Sequence, residues 1–316
     1  MAAYADNTLN GLLALNNNNL ADIDVSDLLM DAPLLAQLYA MKSSYSTQHQ
    51  YLKETGAASG TFRGVNEGVA NTVAQRELIT ATLKILDASL ARDKAVAMGY
   101  KGGKEAFMAL EIKAALKAAF YEAEKQIISG VGNQAAGFAG LAALFPKSNS
   151  DMVYNAGGTS DGTIKTSVYA IRSTENDVAL LLGQDGNIEV GDIYETQVPA
   201  SDFASSGKLI SSVAVSILGW LGLQYGSIYS AGRMCNITNE SGKTLDDDKI
   251  AELLSLFPES RPPTHLVMNR KALAQLRNSR TATNPSGAPA PFPTEAFGVP
   301  IVLTGAIGNT ETLLTT

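Results

Sequence analysis

The sequence contains few of the residues that metal sites, disulfides and nucleophilic catalysis need. Its 316 residues include one cysteine, Cys235, two histidines, His49 and His265, and one tryptophan, Trp220. A single cysteine excludes an intrachain disulfide framework and a thiolate cluster, and it favours a reducing compartment. Two histidines far apart in sequence do not indicate a metal site. We therefore expect no metal and no cofactor, ordinary roles for both histidines, and a core position for Trp220.

Long apolar runs and basic clusters are also missing. No run approaches the roughly 18 apolar residues of a membrane span. Residues 9–23 lack the basic region and cleavage site of a signal peptide. The net charge is −7, from 24 basic and 31 acidic residues, and no Lys/Arg cluster occurs. These absences argue against a membrane partner and against specific nucleic-acid recognition.

What remains is a composition typical of a globular protein. Hydrophobic residues make up 45% of the chain and charged residues 17%. The length suffices for two moderate domains or one elaborated domain. We therefore expect a folded chain with a sizeable core.

Helical periodicity is clearest from Lys104 to Ser129. Gly130 is placed to end this helix. Two roughly opposite faces of the helix are apolar, one carrying Ile112, Leu116, Ala119, Ala123 and Ile127, the other Phe107, Leu110, Ala114 and Tyr121. The pattern therefore predicts a long helix that is covered on two sides.

A second, short helix is predicted in "DAPLLAQLYAM", with Asp31 as its N-cap and Pro33 in the first turn. Apolar residues would form one stripe along it, namely Leu34, Leu35, Leu38 and Met41. The stripe fits packing on its own domain as well as packing on a neighbouring subunit.

The rest of the chain favours strands and turns. Glycines recur every four residues from Gly56 to Gly68, which indicates a flexible loop or hairpin after Tyr45. Residues 72–91 fit a helix face and a strand face equally well. Short β-rich runs occupy 166–198, a longer apolar run occupies 211–238, and 249–256 forms an amphipathic helix. Strands and helices in no regular alternation predict an α+β fold.

Three short motifs point to chemistry. "GTSDG" matches the Gly-x-Ser-x-Gly pattern with Ser160 as a nucleophile and His265 as its base, but a β-like run follows where a helix is needed. "SGKT", Ser241 to Thr244, lacks the first glycine of a phosphate-binding loop. The acidic run at residues 246–248 lacks calcium-loop spacing and suits a helix N-terminus. We interpret all three as turns or caps, and we expect no enzyme.

Five sequence segments point to one family through their order and spacing. They are "GVGNQAAGFAGLAALF", "VYAIRSTENDVALLLG", "GWLGLQYGSIYSAGRMCNI", "THLVMNRKALAQLRNSR" and "FGVPIVLTGAI". Together they resemble the major capsid proteins of tailed bacteriophages, which have the Hong Kong-97-type fold. The resemblance runs from about Thr61 to the C-terminus.

The resemblance implies four regions. They are an N-terminal arm at 1–44, an extended loop at 45–90, a peripheral domain at 91–150 and 196–236 containing the long spine helix, and an axial domain at 151–195 and 237–316. It favours strands over a helix for residues 72–91. It also implies that the arm and the loop lie on neighbouring subunits.

The implied function is a coat protein that self-assembles into hexamers and pentamers of an icosahedral head around double-stranded DNA. The expected partners are copies of itself, a separate scaffolding protein, a portal and decoration proteins, with non-specific proximity to DNA. The virion would be its location, after assembly in the bacterial host cytoplasm. No Lys and Asn pair for covalent crosslinking is identified. Two alternatives stay open: a nanocompartment shell protein of the same fold, and a serine hydrolase using Ser160.

Overall fold

The computed structural model describes residues 29–56, 60–69, 73–183, 186, 188–199, 209–284 and 288–316. The first 28 residues of the predicted arm and parts of the predicted loop therefore lie outside the described residues. Within the described ranges, the strands are β1 (Ala40–Lys42), β2 (Gln48–Gly56), β3 (Gln75–Thr82), β4 (Lys84–Asp87), β5 (Leu90–Asp93), β6 (Val153–Asn155), β7 (Lys165–Ile171), β8 (Val178–Leu182), β9 (Ile188–Val190), β10 (Tyr194–Pro199), β11 (Leu209–Val215), β12 (Ile217–Tyr225), β13 (Ala231–Thr238), β14 (His265–Met268), β15 (Glu295–Ala296) and β16 (Val299–Leu303).

The α-helices in the same ranges are α1 (Lys94–Gly99), α2 (Gly103–Ser129), α3 (Leu141–Leu144), α4 (Asp247–Ser255) and α5 (Arg270–Ala282). The predicted α+β class is confirmed, because strands and helices follow one another in no regular βαβ alternation. Strands also occupy most of residues 72–91, as the family resemblance implied.

The strands form four sheets. A six-stranded sheet has the order β15-β16-β14-β7-β13-β6, and a second sheet runs β1-β8-β12-β4 with β9 also paired to β12. Strands β10, β11 and β5 form a third sheet, and β2 and β3 form a two-stranded sheet, from which Glu54 also makes an isolated bridge to Ser227. Strands β8 and β13 are buried along their whole length, and for β8 this explains its continuous apolar sequence, VALLL.

Helix α2 confirms the predicted spine helix within one residue. The face that carries Ile112 and Ile127 is buried, as expected. The prediction of cover on two sides is wrong within the subunit, since Leu110 is 54% exposed and Ala114 is also exposed. The described part of the chain packs against one side of this helix and leaves the other at the surface.

The end of α2 is a close crossing of two backbone segments. Gly130 ends the helix with a φ of 58°, a left-handed conformation that glycine adopts without steric cost. Gly140 passes very close to the backbone at the end of α2. A Cβ atom at Gly140 would lie 2.4 Å from the carbonyl oxygen of Gln126 and 2.5 Å from the nitrogen of Gly130. Glycine at position 140 is therefore required by space.

The predicted short helix at Asp31 does not form. Residues 33–37 make turns that include one helical hydrogen bond, from Leu38 N–H to the Leu34 carbonyl. The chain then becomes strand β1, because the Leu180 N–H of β8 donates to the Tyr39 carbonyl at 2.8 Å. A distant strand edge therefore overrides the local helical pattern.

The apolar stripe of the arm packs on its own subunit. Leu34, Leu35 and Leu38 are each at most 1% exposed and belong to the main core. Of the two alternatives that the sequence left open for the stripe, these leucines follow packing on their own domain. These three side chains are therefore not available to a neighbouring subunit, and contact of the rest of the arm with a neighbour stays a prediction.

Candidate assembly surfaces

The hairpin of β2 and β3 carries an exposed apolar surface. The two strands pair antiparallel, and the described loop residues 60–69 between them are all exposed. Phe62 is fully exposed in this loop, and Val65 is 93% exposed. Exposed apolar side chains gain stability when contact with another molecule covers them, and a group of them is more informative than a single one.

The two faces of the hairpin differ in character. Successive side chains on a strand point to opposite faces. His49 and Tyr51 lie on the face that is buried or half-buried against the subunit. Leu52 lies directly opposite Leu78 on the outer face, where the two side chains are 60% and 61% exposed. The outer face thus presents an adjacent apolar pair that the described chain does not cover.

Polar contacts anchor the hairpin near both ends of β2. His49 Nε2 lies 3.0 Å from Gln224 Oε1. Glu54 forms an ion pair with Arg261 at 2.6 Å, and its backbone N–H donates to the Gly226 carbonyl at 2.8 Å. These contacts hold the two strands against the subunit, so the direction of the projecting part is fixed at its base.

The contacts of His49 specify a neutral imidazole. The Ser44 N–H donates to Nδ1 at 3.1 Å, so Nδ1 must accept and Nε2 must carry the proton that faces Gln224. Burial lowers the pKa of His49 from its ordinary value, although the Gln224 contact opposes this effect. Protonation would place an N–H at Nδ1 against the Ser44 N–H.

We predict that acid weakens this anchor. Because the folded pKa of His49 lies below 6.5, its contribution is present above that pH and is lost as pH falls from 6.5 through the folded pKa. Wild-type subunits should lose more thermal stability between pH 7.5 and 5.5 than the His49→Gln variant, which keeps a donor toward Gln224. Melting curves of both proteins at the two pH values check this, and equal losses would contradict it.

A second exposed apolar surface lies on the sheet that contains β12. Trp220 is 38% exposed, Leu218 is 43% exposed, and Ile85 lies opposite Trp220 at 59% exposure. The predicted core position of Trp220 is therefore wrong. Strand alternation explains the difference, since Ile217 and Leu221 point into the core while Leu218 and Trp220 point outward.

Sequence reasoning missed Glu124, which joins the arm, the spine helix and the end of β16. Its side chain is fully buried on α2. One carboxylate oxygen accepts from the Leu34 N–H at 2.8 Å and from the Leu35 N–H at 3.3 Å. The Thr304 hydroxyl donates to the other oxygen. Burial raises the pKa of Glu124, and the three donors partly offset that effect.

The "GTSDG" segment forms a turn held by Glu240. Thr159 donates to this carboxylate through its hydroxyl at 2.6 Å and its N–H at 2.7 Å. These two bonds and a third from Thr238 hold the pKa of Glu240 at about 2. Ser160 is followed by strand β7, and among the described hydrogen bonds none joins it to His265, whose Nδ1 contacts Thr264. The geometry is not that of a nucleophile elbow.

The other predicted motifs are local structure. "SGKT" is a polar turn with Gly242 at a φ of 74°. Asp246 caps α4 by accepting from the Lys249 N–H at 2.9 Å, as its sequence position suggested. Cys235 is buried, and burial raises the pKa of its thiol to about 11.

The described residues contain neither a metal-binding cluster nor a membrane-spanning helix. No group of three or more His, Cys, Asp or Glu side chains there is arranged to hold a metal ion. Among the described helices, none has the length and apolarity required to cross a membrane.

Comparison with known proteins decides the family. Residues 17–314 match the family described as Major capsid protein GP7. The chain belongs to this family. A comparison with curated proteins finds no match. Since the family match spans nearly the whole chain, this major capsid protein owes its family assignment to no single motif.

Solved structures show the fold of this major capsid protein. It is similar to a chain of bacteriophage epsilon15, with a TM-score of 0.64 and 18% identity over 88% of each chain. It also aligns with the capsid of bacteriophage JBD30 at a TM-score of 0.45 and 12% identity, over 92% of this chain and 93% of the other. The epsilon15 likeness confirms the Hong Kong-97-type capsid fold.

Proposed function

We propose that this major capsid protein assembles as hexamers and pentamers into an icosahedral phage head that encloses double-stranded DNA. The observation that carries the proposal is the anchored hairpin with an uncovered apolar outer face, formed by Leu52 and Leu78. Identical subunits related by a closing rotation form rings, and in a ring each hairpin meets the next copy. Family membership supports this shell over a nanocompartment or a hydrolase.

The net charge of −7 fits a container that encloses DNA without gripping it. We propose non-specific proximity to DNA, and no membrane partner or enzymatic activity. A separate scaffolding protein, a portal and decoration proteins are the further partners that we propose. The protein would be assembled in the bacterial host cytoplasm and would reside in the virion.

We propose the division into arm (1–44), loop (45–90), peripheral domain (91–150 and 196–236) and axial domain (151–195 and 237–316), with two refinements. Strand β10 crosses the proposed boundary at residue 195 and pairs with β11 of the peripheral domain, so we place that boundary before Tyr194. Strand β13 crosses the proposed boundary at residue 236. It pairs with β6 and β7, which both belong to the proposed axial domain. Placing the boundary before Ala231 keeps the six-stranded sheet in one domain.

A charge on the outer face of the hairpin tests the proposal. We expect Leu78→Glu to leave a folded subunit and to reduce the yield of closed particles at least tenfold. The reason is that each tenfold loss of association needs about 1.4 kcal/mol, and burying an unpaired carboxylate costs more. Size-exclusion chromatography and negative-stain electron microscopy measure the yield.

Thr82→Glu is the matched control. It adds the same charge on the same face of β3, four residues nearer the base of the hairpin, and removes no large apolar side chain. We expect wild-type and Thr82→Glu subunits to form uniform particles. Normal particles from Leu78→Glu would show that this face is not a subunit contact, and wild-type subunits that never form particles would refute the coat function.

A further inference from the structure

The turn between β15 and β16 holds an aromatic residue in an unfavourable backbone conformation. Ala296 pairs with Val299, which leaves a two-residue connection made of Phe297 and Gly298. Their φ angles are 51° and 76°, both in the left-handed region. Two-residue hairpins of this kind favour Asn-Gly or Gly-Gly, because those residues adopt positive φ at little cost.

The strain at Phe297 has no compensation within the described subunit. Phe297 is 61% exposed, so its ring gains little from burial in its own chain. A bulky residue with positive φ is a genuine outlier, and such strain tends to occur where it serves contact with a ligand or partner.

The turn presents this ring from a rigid base. Ala296 is 1% exposed and Val299 is 8% exposed, so both residues that flank the turn are fixed in the core. The Ile301 N–H also donates to the Thr294 carbonyl at 2.9 Å. A side chain held in place before binding loses less entropy when a partner covers it.

Three phenylalanines are among the strongly exposed apolar residues of the described chain, namely Phe62, Phe292 and Phe297. Phe62 belongs to the hairpin loop already described. Phe292 lies beneath the Arg277 guanidinium, whose carbon is 4.6 Å from the ring centre, so an intramolecular cation–π contact accounts for its position. Phe297 has no aromatic or cation–π contact among the described residues.

We propose that Phe297 is an aromatic anchor that packs against a second copy of this chain in the assembled particle. The inference rests on the proposed coat function, in which the neighbours of each subunit are copies of itself. Aromatic side chains presented rigidly contribute a large share of binding energy at interfaces. Every copy would present the same turn, so the contact is repeated at each equivalent interface.

Substitutions at position 297 separate this role from a structural one. Phe297→Asn relieves the strain, so unassembled subunits should melt about 2 °C higher than wild type, while particle yield falls at least tenfold. Phe297→Trp keeps an aromatic ring and should retain most of the yield. Particle yield of Phe297→Asn equal to wild type, or a lower melting temperature, would overturn the proposal.

A photoreactive benzoylphenylalanine at position 297 identifies the partner directly. Irradiation of assembled particles should give a product of twice the subunit mass. A crosslink to a different protein, or none in particles that assemble normally, would refute the second copy as partner. Wild-type protein that forms no particles would instead refute the coat function, so the two failures are distinguishable.

Discussion

Replacing Glu124 with Ala is expected to destabilise the subunit by about 3 kcal/mol. The change removes the acceptor for the buried N–H groups of Leu34 and Leu35 and for the Thr304 hydroxyl. Each buried donor left without an acceptor costs about 1–3 kcal/mol. Urea unfolding of unassembled subunits, followed by the fluorescence of Trp220, measures the loss.

Glu122→Ala is the control on the same helix. Glu122 is half-buried, pairs with Lys125 at 2.8 Å and accepts from the side-chain amides of Asn133 and Gln134. None of these partners is buried, so water can replace the lost acceptor and the removal of Glu122 should cost less than about 1 kcal/mol. Glu124→Gln keeps one acceptor and the side-chain volume, and should fall between the two alanine variants. A loss for Glu124→Ala no larger than that for Glu122→Ala would contradict the assigned role.

The carboxyl group of Glu124 also makes the stability of the subunit depend on pH. Burial raises the folded pKa of Glu124 above its ordinary value of 4.5. Its contribution to stability is therefore full below pH 4.5 and is lost as pH rises through the folded pKa. Glu124→Gln should show a weaker fall in stability over this range than wild type. This trend is opposite in direction to that of His49.

Gly140→Ala should destabilise the subunit by about 3 kcal/mol or more. The added methyl group would meet the Gln126 carbonyl oxygen at 2.4 Å and the Gly130 nitrogen at 2.5 Å. Both are backbone atoms, and the Gly130 N–H bonds to the Gln126 carbonyl at the end of α2. Relief of the clash therefore requires the helix end to shift, which is a severe form of overpacking.

Gly132→Ala tests whether the effect depends on space. An added Cβ at Gly132 would have no atom within 4 Å, and its φ is not positive. We expect a change within about 0.5 kcal/mol at this exposed position. Urea unfolding of the two variants side by side makes the comparison, and similar stabilities would show that the crossing tolerates a methyl group.

Local signals in the sequence were sufficient for the elements that local interactions determine. Helix α2 follows from its apolar period and from Gly130, and α4 follows from the Asp246 cap. In both helices the local pattern and the surrounding packing favour the same conformation, so the sequence signal is sufficient.

Distant partners decided the elements that the sequence did not reveal. The arm became a turn and a strand because β8, about 140 residues later in the chain, supplies an edge for pairing at Tyr39. Trp220 faces outward because the register of β12 places its neighbours inward.

For Glu124 a usable signal was present. It lies four residues after Phe120 and three before Ile127, on the buried face of α2. A carboxylate at such a position needs donors from another segment. The sequence does not identify those donors, because the arm and the end of β16, which supply them, reach Glu124 only after folding.

The burial of Cys235 has a practical consequence. It is the sole cysteine of the chain, and the pKa of its thiol is about 11, so very little thiolate is present at neutral pH. The natural chain is therefore almost unreactive toward thiol-directed dyes. A cysteine placed at an exposed position such as Phe62 could be labelled selectively, and its fluorescence would follow the hairpin loop in real time as particles form.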